Sequence, residues 1–166
     1  MKKRKNGQMK LSFGMIFSII LIIVFLAFAF YAIKTFLGMQ NTIQTEKFIS
    51  DLKSDIDRVW KATESSEERE YVLPLKIDYI CFIDFSAFES GANARLYNEL
   101  EFVDFGDENM VFYPIGSSKM DSVKMVNIAL EKITSDENPF CIENVHGKVK
   151  LTLVKEINEA LVTITR

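Results

Sequence analysis

No Asp or Glu occurs before Glu46. The opening quarter of the chain therefore holds no carboxylate pair for acid–base work and no oxygen ligands for a hard cation. Cysteine is nearly missing as well, with only Cys81 and Cys141, which excludes a Cys-rich zinc site and a CxxC redox motif. His146 is the single histidine, so no Ser-His-Asp or Cys-His arrangement can form without it. There is no Gly-rich phosphate loop. Proline is absent before Pro74, so nothing of that kind breaks a helix in the first 73 residues. Acidic residues do cluster in "ELEFVDFGDEN", at Glu99, Glu101, Asp104, Asp107 and Glu108, but the spacing is not that of an Asp-x-Asp-x-Asp-Gly calcium loop. From these absences no catalytic residue, metal ligand set, cofactor or small-molecule substrate is assigned, and the expectation is a protein that is not an enzyme.

What is present is a sharp division of charge and grease. Lys2, Lys3, Arg4, Lys5, Lys10 and Lys34 give the first 45 residues a net charge of +6, and the remainder carries −9. An acidic body without a clustered basic face argues against nucleic acid as a partner. Between Lys10 and Lys34 lie 23 residues, Leu11–Ile33, with no charge. As a helix they span about 34 Å, enough for a hydrocarbon layer of roughly 30 Å. Ser12 and Ser18 fit there because serine can bond back to its own helix carbonyls. The basic residues Lys2, Lys3, Arg4, Lys5 and Lys10 predict a cytoplasmic N-terminus, while Lys34 can snorkel at the other end. The body is then expected outside the cell membrane, as the C-terminal part of a single-pass protein whose first partner is the lipid bilayer.

Three fates are open for this segment. "AFA" at Ala27–Ala29 fits a small-x-small cleavage site, with release of a domain beginning at Phe30, although the apolar run is long for a secretory signal and continues past the cut. An uncleaved anchor is the second. The third rests on "KKRKNGQMKLSF", a basic leader ending in Gly7 and followed by an unbroken apolar helix. This resembles the class III, prepilin-type signal of archaeal type IV pilins and archaellins. The resemblance covers about the first 30 residues. It implies cleavage between Gly7 and Gln8 on the cytoplasmic side, with the greasy helix retained, first as an anchor and then as packing surface in a filament. Partners would then be copies of the chain or other pilin-like subunits. Many members carry Glu at the fifth mature position, where this chain has Ser12. The alternative function is a binding or accessory module of an envelope complex on a plain anchor.

Beyond the apolar run, Ile49, Leu52, Ile56 and Val59 recur at steps of three and four, which predicts that one long helix continues to about Ala62. Its stripe suits packing on its own outer domain, or on neighbouring copies. Gly38 weakens this helix without ending it. The expected organisation is a basic leader 1–10, a transmembrane helix 11–37, an amphipathic stalk 38–63 and an extracytoplasmic domain 64–166. "ESSEERE" reads as a linker or turn. "EYVLPLKIDYICFIDF" reads as strand, with Pro74 at an edge or bend, Ile77, Tyr79, Cys81 and Ile83 on one face and Ile80, Phe82 and Phe85 on the other, as in the middle of a domain. "ARLYNELEFV" reads as a short helix and "NMVFYPI" as a strand, while "DSVKMVNIALEKI" fits helix or strand equally. "PFCIENV", "KVKLTLVKE" and "EALVTITR" predict three strands, the first two joined by a tight hairpin at His146–Gly147. The fold class is α+β, a long N-terminal transmembrane-plus-stalk helix packed on a mainly antiparallel sheet.

Cys81 and Cys141 both fall in strand-like apolar runs on the side expected to face an oxidising exterior, so a disulfide between them is expected. Two buried thiols are the alternative. His146 is read as a turn residue. An acid–base site would instead require carboxylates gathered around it. Asp78 and Asp84 are read as solvated sheet-edge residues.

Overall fold

A computed structural model describes residues 13–103 and 106–166. The basic residues Lys2, Lys3, Arg4, Lys5 and Lys10, the expected cleavage pair Gly7–Gln8, and Ser12 and Asp104 lie outside the described residues. The chain divides into two units, the first ending at Met39 and the second running Gln40–Arg166.

Helix α1 (Phe13–Lys61) accounts for every described residue of the first unit and opens the second. Nothing in its sequence stops it, and Gly38 is accommodated within it. In the first unit every described residue is exposed. Ser18 Oγ donates to Gly14 O at 2.8 Å, the back-bond that lets a hydroxyl sit in an apolar helix. In the second unit α1 changes character. Thr45, Phe48, Ile49, Leu52, Ile56 and Val59 are buried, along one face. Arg58 and Lys61 occupy the last turn, where cations suit the helix dipole.

The second unit carries two antiparallel sheets. The first has the order β1-β6-β7, from Ser65–Val72, Lys148–Lys155 and Thr163–Thr165. The second has the order β4-β3-β2-β5, from Ser122–Val123, Met110–Tyr113, Tyr79–Phe82 and Phe140–Glu143. Two short helices, α2 (Ala94–Leu100), followed by a 3-10 turn at Glu101–Val103, and α3 (Leu130–Ile133), are also present. The α+β expectation holds. The ambiguous run Asp121–Ile133 resolves into both elements, β4 and then α3.

Three expectations require correction. Glu64–Glu70 is no linker: from Ser65 it forms most of β1, paired in full register with β6 from Ser65↔Lys155 to Val72↔Lys148. Its polar composition suits an edge strand whose inward charges find partners on a helix. The tight turn at His146–Gly147 exists, with both residues at positive φ (55° and 83°), and Val145 and Lys148 bridge across it. It does not close a ladder between neighbouring strands, however, because β5 and β6 belong to different sheets. Finally, β2 is only four residues long, so period-two alternation fails on either side of it. Ile77 joins the core of Ile80 and Phe82, and Phe85 packs with Cys81, each on the face opposite to that expected.

Both faces of β2 are buried, for a reason the two cores make plain. Ile80 and Phe82 face a main core in which the stripe of α1 meets side chains of both sheets, including Tyr71, Leu151 and Ile164 from one and Phe112 and Ile142 from the other. Phe48 is the junction, edge-on to Tyr71 at 5.4 Å and to Phe112 at 5.9 Å. Cys81 points the other way, into a smaller core roofed by Leu96, Tyr97 and Leu100 of α2. In β6, Val149, Leu151 and Leu153 are buried while Lys148 and Lys150 are exposed, as alternation predicts.

Leu52 is fully buried in the stripe, so Leu52→Ala is expected to destabilise the protein by about 2–5 kcal/mol. Urea unfolding of the detergent-solubilised protein, followed by Trp60 fluorescence, measures this. Lys53→Ala, one residue away on the exposed side, is the control expected to leave the midpoint in place.

Candidate functional site

The apolar half of α1 is the feature with the clearest functional content. It contains the one described helix long and apolar enough to cross a membrane, with a mean hydropathy of 3.0 over its best window and none of that window buried. Phe25 and Phe28 are 68% and 69% exposed, and their neighbours Ile22, Ile23 and Val24 are more than half exposed. A water-exposed surface of this kind costs about 25 cal/mol for every Å². Such a helix requires an apolar surround, which the rest of the described chain does not supply.

The second unit is clamped around its smaller core. Cys81 of β2 and Cys141 of β5 stand directly opposite in the ladder and are joined by a disulfide, as expected from the sequence. β5 is an edge strand, and its outer side is covered by Arg166, whose Nε and Nη2 donate to Cys141 O at 3.1 and 2.7 Å. The same guanidinium lies 4.6 Å from the Phe140 ring centroid and pairs with Glu137 at 2.6 Å. Just before β5, Asn138 is 1% exposed and serves as a hub. Its Nδ2 donates to Asp84 O at 2.9 Å and its Oδ1 accepts from Asp84 N at 3.1 Å, which holds the loop after β2 against the strand. Sequence reasoning passed over both Asn138 and Arg166. The only signal was that Asn138 precedes Pro139, which marks a turn and nothing more.

A polar seam joins α1 to β1. Tyr71 is buried and its hydroxyl donates to Asp55 Oδ2 at 2.8 Å. Arg58 bridges Asp55 and Glu67, both at 2.8 Å, and Arg69 pairs with Glu67 at 2.5 Å. Hydrogen bonds from Arg69 and then Arg58 hold the Glu67 carboxyl below the usual carboxylate range. Burial, and then the bond to Asp55, push the Tyr71 phenol far above its ordinary value. This seam explains why the inward residues of β1 are charged.

His146 sits at its turn, beside a cleft also lined by Glu70, Glu143, Lys148 and Lys150. Two carboxylates therefore do stand near the only histidine. Glu70, however, is engaged by Lys148 at 2.7 Å and Lys150 at 3.6 Å, and the Lys148 hydrogen bond holds its carboxyl low, so it is a charged ion-pair partner rather than a proton donor at neutral pH. Asp84 is an acceptor for Ser86 N and Oγ at 2.9 and 2.6 Å. Among the described residues no three His, Cys, Asp or Glu side chains are grouped to hold a metal ion.

Removing the disulfide with Cys81→Ala and Cys141→Ala together is expected to destabilise the protein by about 2–4 kcal/mol, since the bond closes a 60-residue separation. Chemical denaturation of both forms checks this. The Tyr71 shift has a definite sign. A phenol whose folded-state value is raised contributes stability that is complete below about pH 10 and is lost as pH rises above it. Base-induced destabilisation is therefore expected to be smaller in Tyr71→Phe than in the parent, read as unfolding midpoints on either side of about pH 10.

The chain matches no protein-family model, and no curated protein and no solved structure is similar to it.

Proposed function

We propose that this chain is a single-pass, membrane-anchored surface protein of the pilin-like kind, non-enzymatic, with its second unit displayed on the extracytoplasmic side. The observation that carries the reading is the wholly exposed apolar run of α1, which continues without proline or stop signal into a stretch buried in a folded domain. A helix with these two halves holds a domain at a bilayer. The basic cluster Lys2–Lys5 with Lys10 supports a cytoplasmic start, and the Cys81–Cys141 bond suits an oxidising exterior. The likeness of "KKRKNGQMKLSF" to a class III signal supports cleavage between Gly7 and Gln8 with retention of the helix. Retained, the helix anchors the protein and offers copies of the chain, or other pilin-like subunits, an apolar surface for filament packing.

A second reading has its own observation. Ser12 stands where many class III proteins carry Glu, which favours a plain anchor bearing a binding or accessory module of an envelope complex over a filament subunit.

The intact mass of the protein from membranes of expressing cells separates these readings. A mature chain beginning at Gln8 is the expected result, lost in Gly7→Val, where a branched side chain crowds the processing site. A chain still beginning at Met1 would refute processing and leave the plain anchor, and one beginning at Phe30 in the medium would refute anchoring itself. Fibres in electron micrographs of the processed protein distinguish a filament subunit from a solitary anchor.

A further inference from the structure

The apolar run of α1 and the folded unit are separated by almost no chain. If the run to Leu37 lies in lipid, Gln40 follows three residues later, at most about 11 Å away however the chain is arranged. The headgroup layer on each side of the hydrocarbon is itself about 5–7 Å deep. In that case the end of the second unit that carries Gln40 stands at the headgroups.

That end is built from two loops beside α1. Gln40, Asn41 and Gln44 share a recess with Leu75, Lys76 and His146. Leu75 is 76% exposed, and Val72 and Val145 nearby are 58% and 52% exposed. These are not loose tips. Leu73 N donates to Gly147 O at 2.9 Å. Asn144 Nδ2 donates to Pro74 O at 3.0 Å and to Ile77 O at 2.6 Å. Gly147 is required at the contact: it has φ 83°, and a Cβ would lie 3.2 Å from Leu73 O. The fold thus locks the loop of Leu75 to the turn of Val145 while leaving both side chains without cover. Lys76 and Lys148 line the recess of Leu75, and Lys148 and Lys150 line the adjoining cleft of Val145, with Glu70 shared between the last two. Long lysine stems can lie along apolar surface while their ammonium groups reach phosphate. Exposed aliphatic tips with adjoining lysines, on a body of net charge −9, are the composition of a membrane-interface contact.

We propose that this face, tipped by Leu75, Val72 and Val145, docks on the phospholipid surface around the anchor and fixes how the folded unit stands on the bilayer. The inference rests on the reading of α1 as a membrane anchor. The occupant is lipid because the chain leaves the face no distance from it, whereas a protein partner would have to enter the headgroup layer.

The test uses the full-length protein reconstituted in vesicles of phosphatidylcholine and phosphatidylglycerol with brominated acyl chains, which quench indole fluorescence at close range. Trp60 is the native tryptophan, bonded to Ala160 O, and lies 20 residues beyond Gln40, about 30 Å along α1. It serves as the internal reference. Leu75→Trp, with Trp60 kept, is expected to add a signal that loses most of its intensity in brominated vesicles, while Trp60 in the parent protein keeps its own. Val145→Trp is an independent probe on the neighbouring loop, and a cooperative urea transition with the parent's midpoint verifies that each variant retains the folded core. Protein that floats with the vesicles but leaves both added indoles unquenched would overturn the docking and leave the anchor standing. Unquenched indoles that are also shielded from aqueous iodide would assign the face to a second copy of the chain and overturn it equally. Protein that fails to float at all would remove the anchor reading, and the docking with it.

Discussion

The stripe of α1 formed by Phe48, Ile49, Leu52, Ile56 and Val59 lies in the main core, where it meets side chains of both sheets. The two sheets share no ladder, and side chains of both pack against this helix, with Arg166 beyond β7 adding a direct link to Cys141 O of β5. Phe48 touches an aromatic ring from each sheet, and the residues behind it are almost wholly shielded from water. Because the same helix carries the exposed apolar run, the element that organises the core is also the element that meets lipid in the proposed reading. In that reading only three residues of chain separate Leu37 from Gln40, which bounds how far the start of the folded unit can lie from lipid.

The remaining features follow from the small size of the second unit. Its second sheet has a core on both faces, and the outer one depends on the short helix α2 for cover. The disulfide crosses that outer core at the edge strand, where pairing on one side only leaves a strand most easily lost. Arg166 and Asn138 act at the same place, one on the free side of β5 and the other on the loop that leads away from β2. At the opposite edge of the other sheet, β1 keeps charges on its inward face, where Glu67 is paired by Arg58 of α1 and by Arg69 of its own strand. Inward charge at an edge discourages pairing with a foreign strand.

Much of this was legible because it is periodic. The stripe at Ile49–Val59, the alternation in Lys148–Lys155 and the pair Leu96 and Leu100 repeat at the spacing of their elements and are found there, with Val103 following in a 3-10 turn, while the apolar run was legible from its length alone. The errors lie where period and composition disagree. "SSEERE" alternates as a strand should, but both of its faces are polar, so hydrophobicity carries no signal. The turn at His146–Gly147 has the residue types of a hairpin, yet turn chemistry specifies only the local reversal and not which sheet receives each arm. Ile77 and Phe85 sit beyond the ends of a strand too short for its alternation to be extrapolated.

The sequence by itself determined the long helix, its uncharged run, the acidic body and the availability of a single cysteine pair, because these depend on residues near one another in the chain or on simple counts. Only the tertiary structure decided that there are two sheets rather than one, that Glu67 and Arg69 turn inward to α1, that Asn138 and Arg166 hold the edge strand, and that Leu75 and His146 share a recess with Gln40. Each of these joins segments far apart in sequence. Such pairings are selected by the packing of the whole unit, where burial and hydrogen-bond satisfaction must be met together, and no local pattern records the outcome.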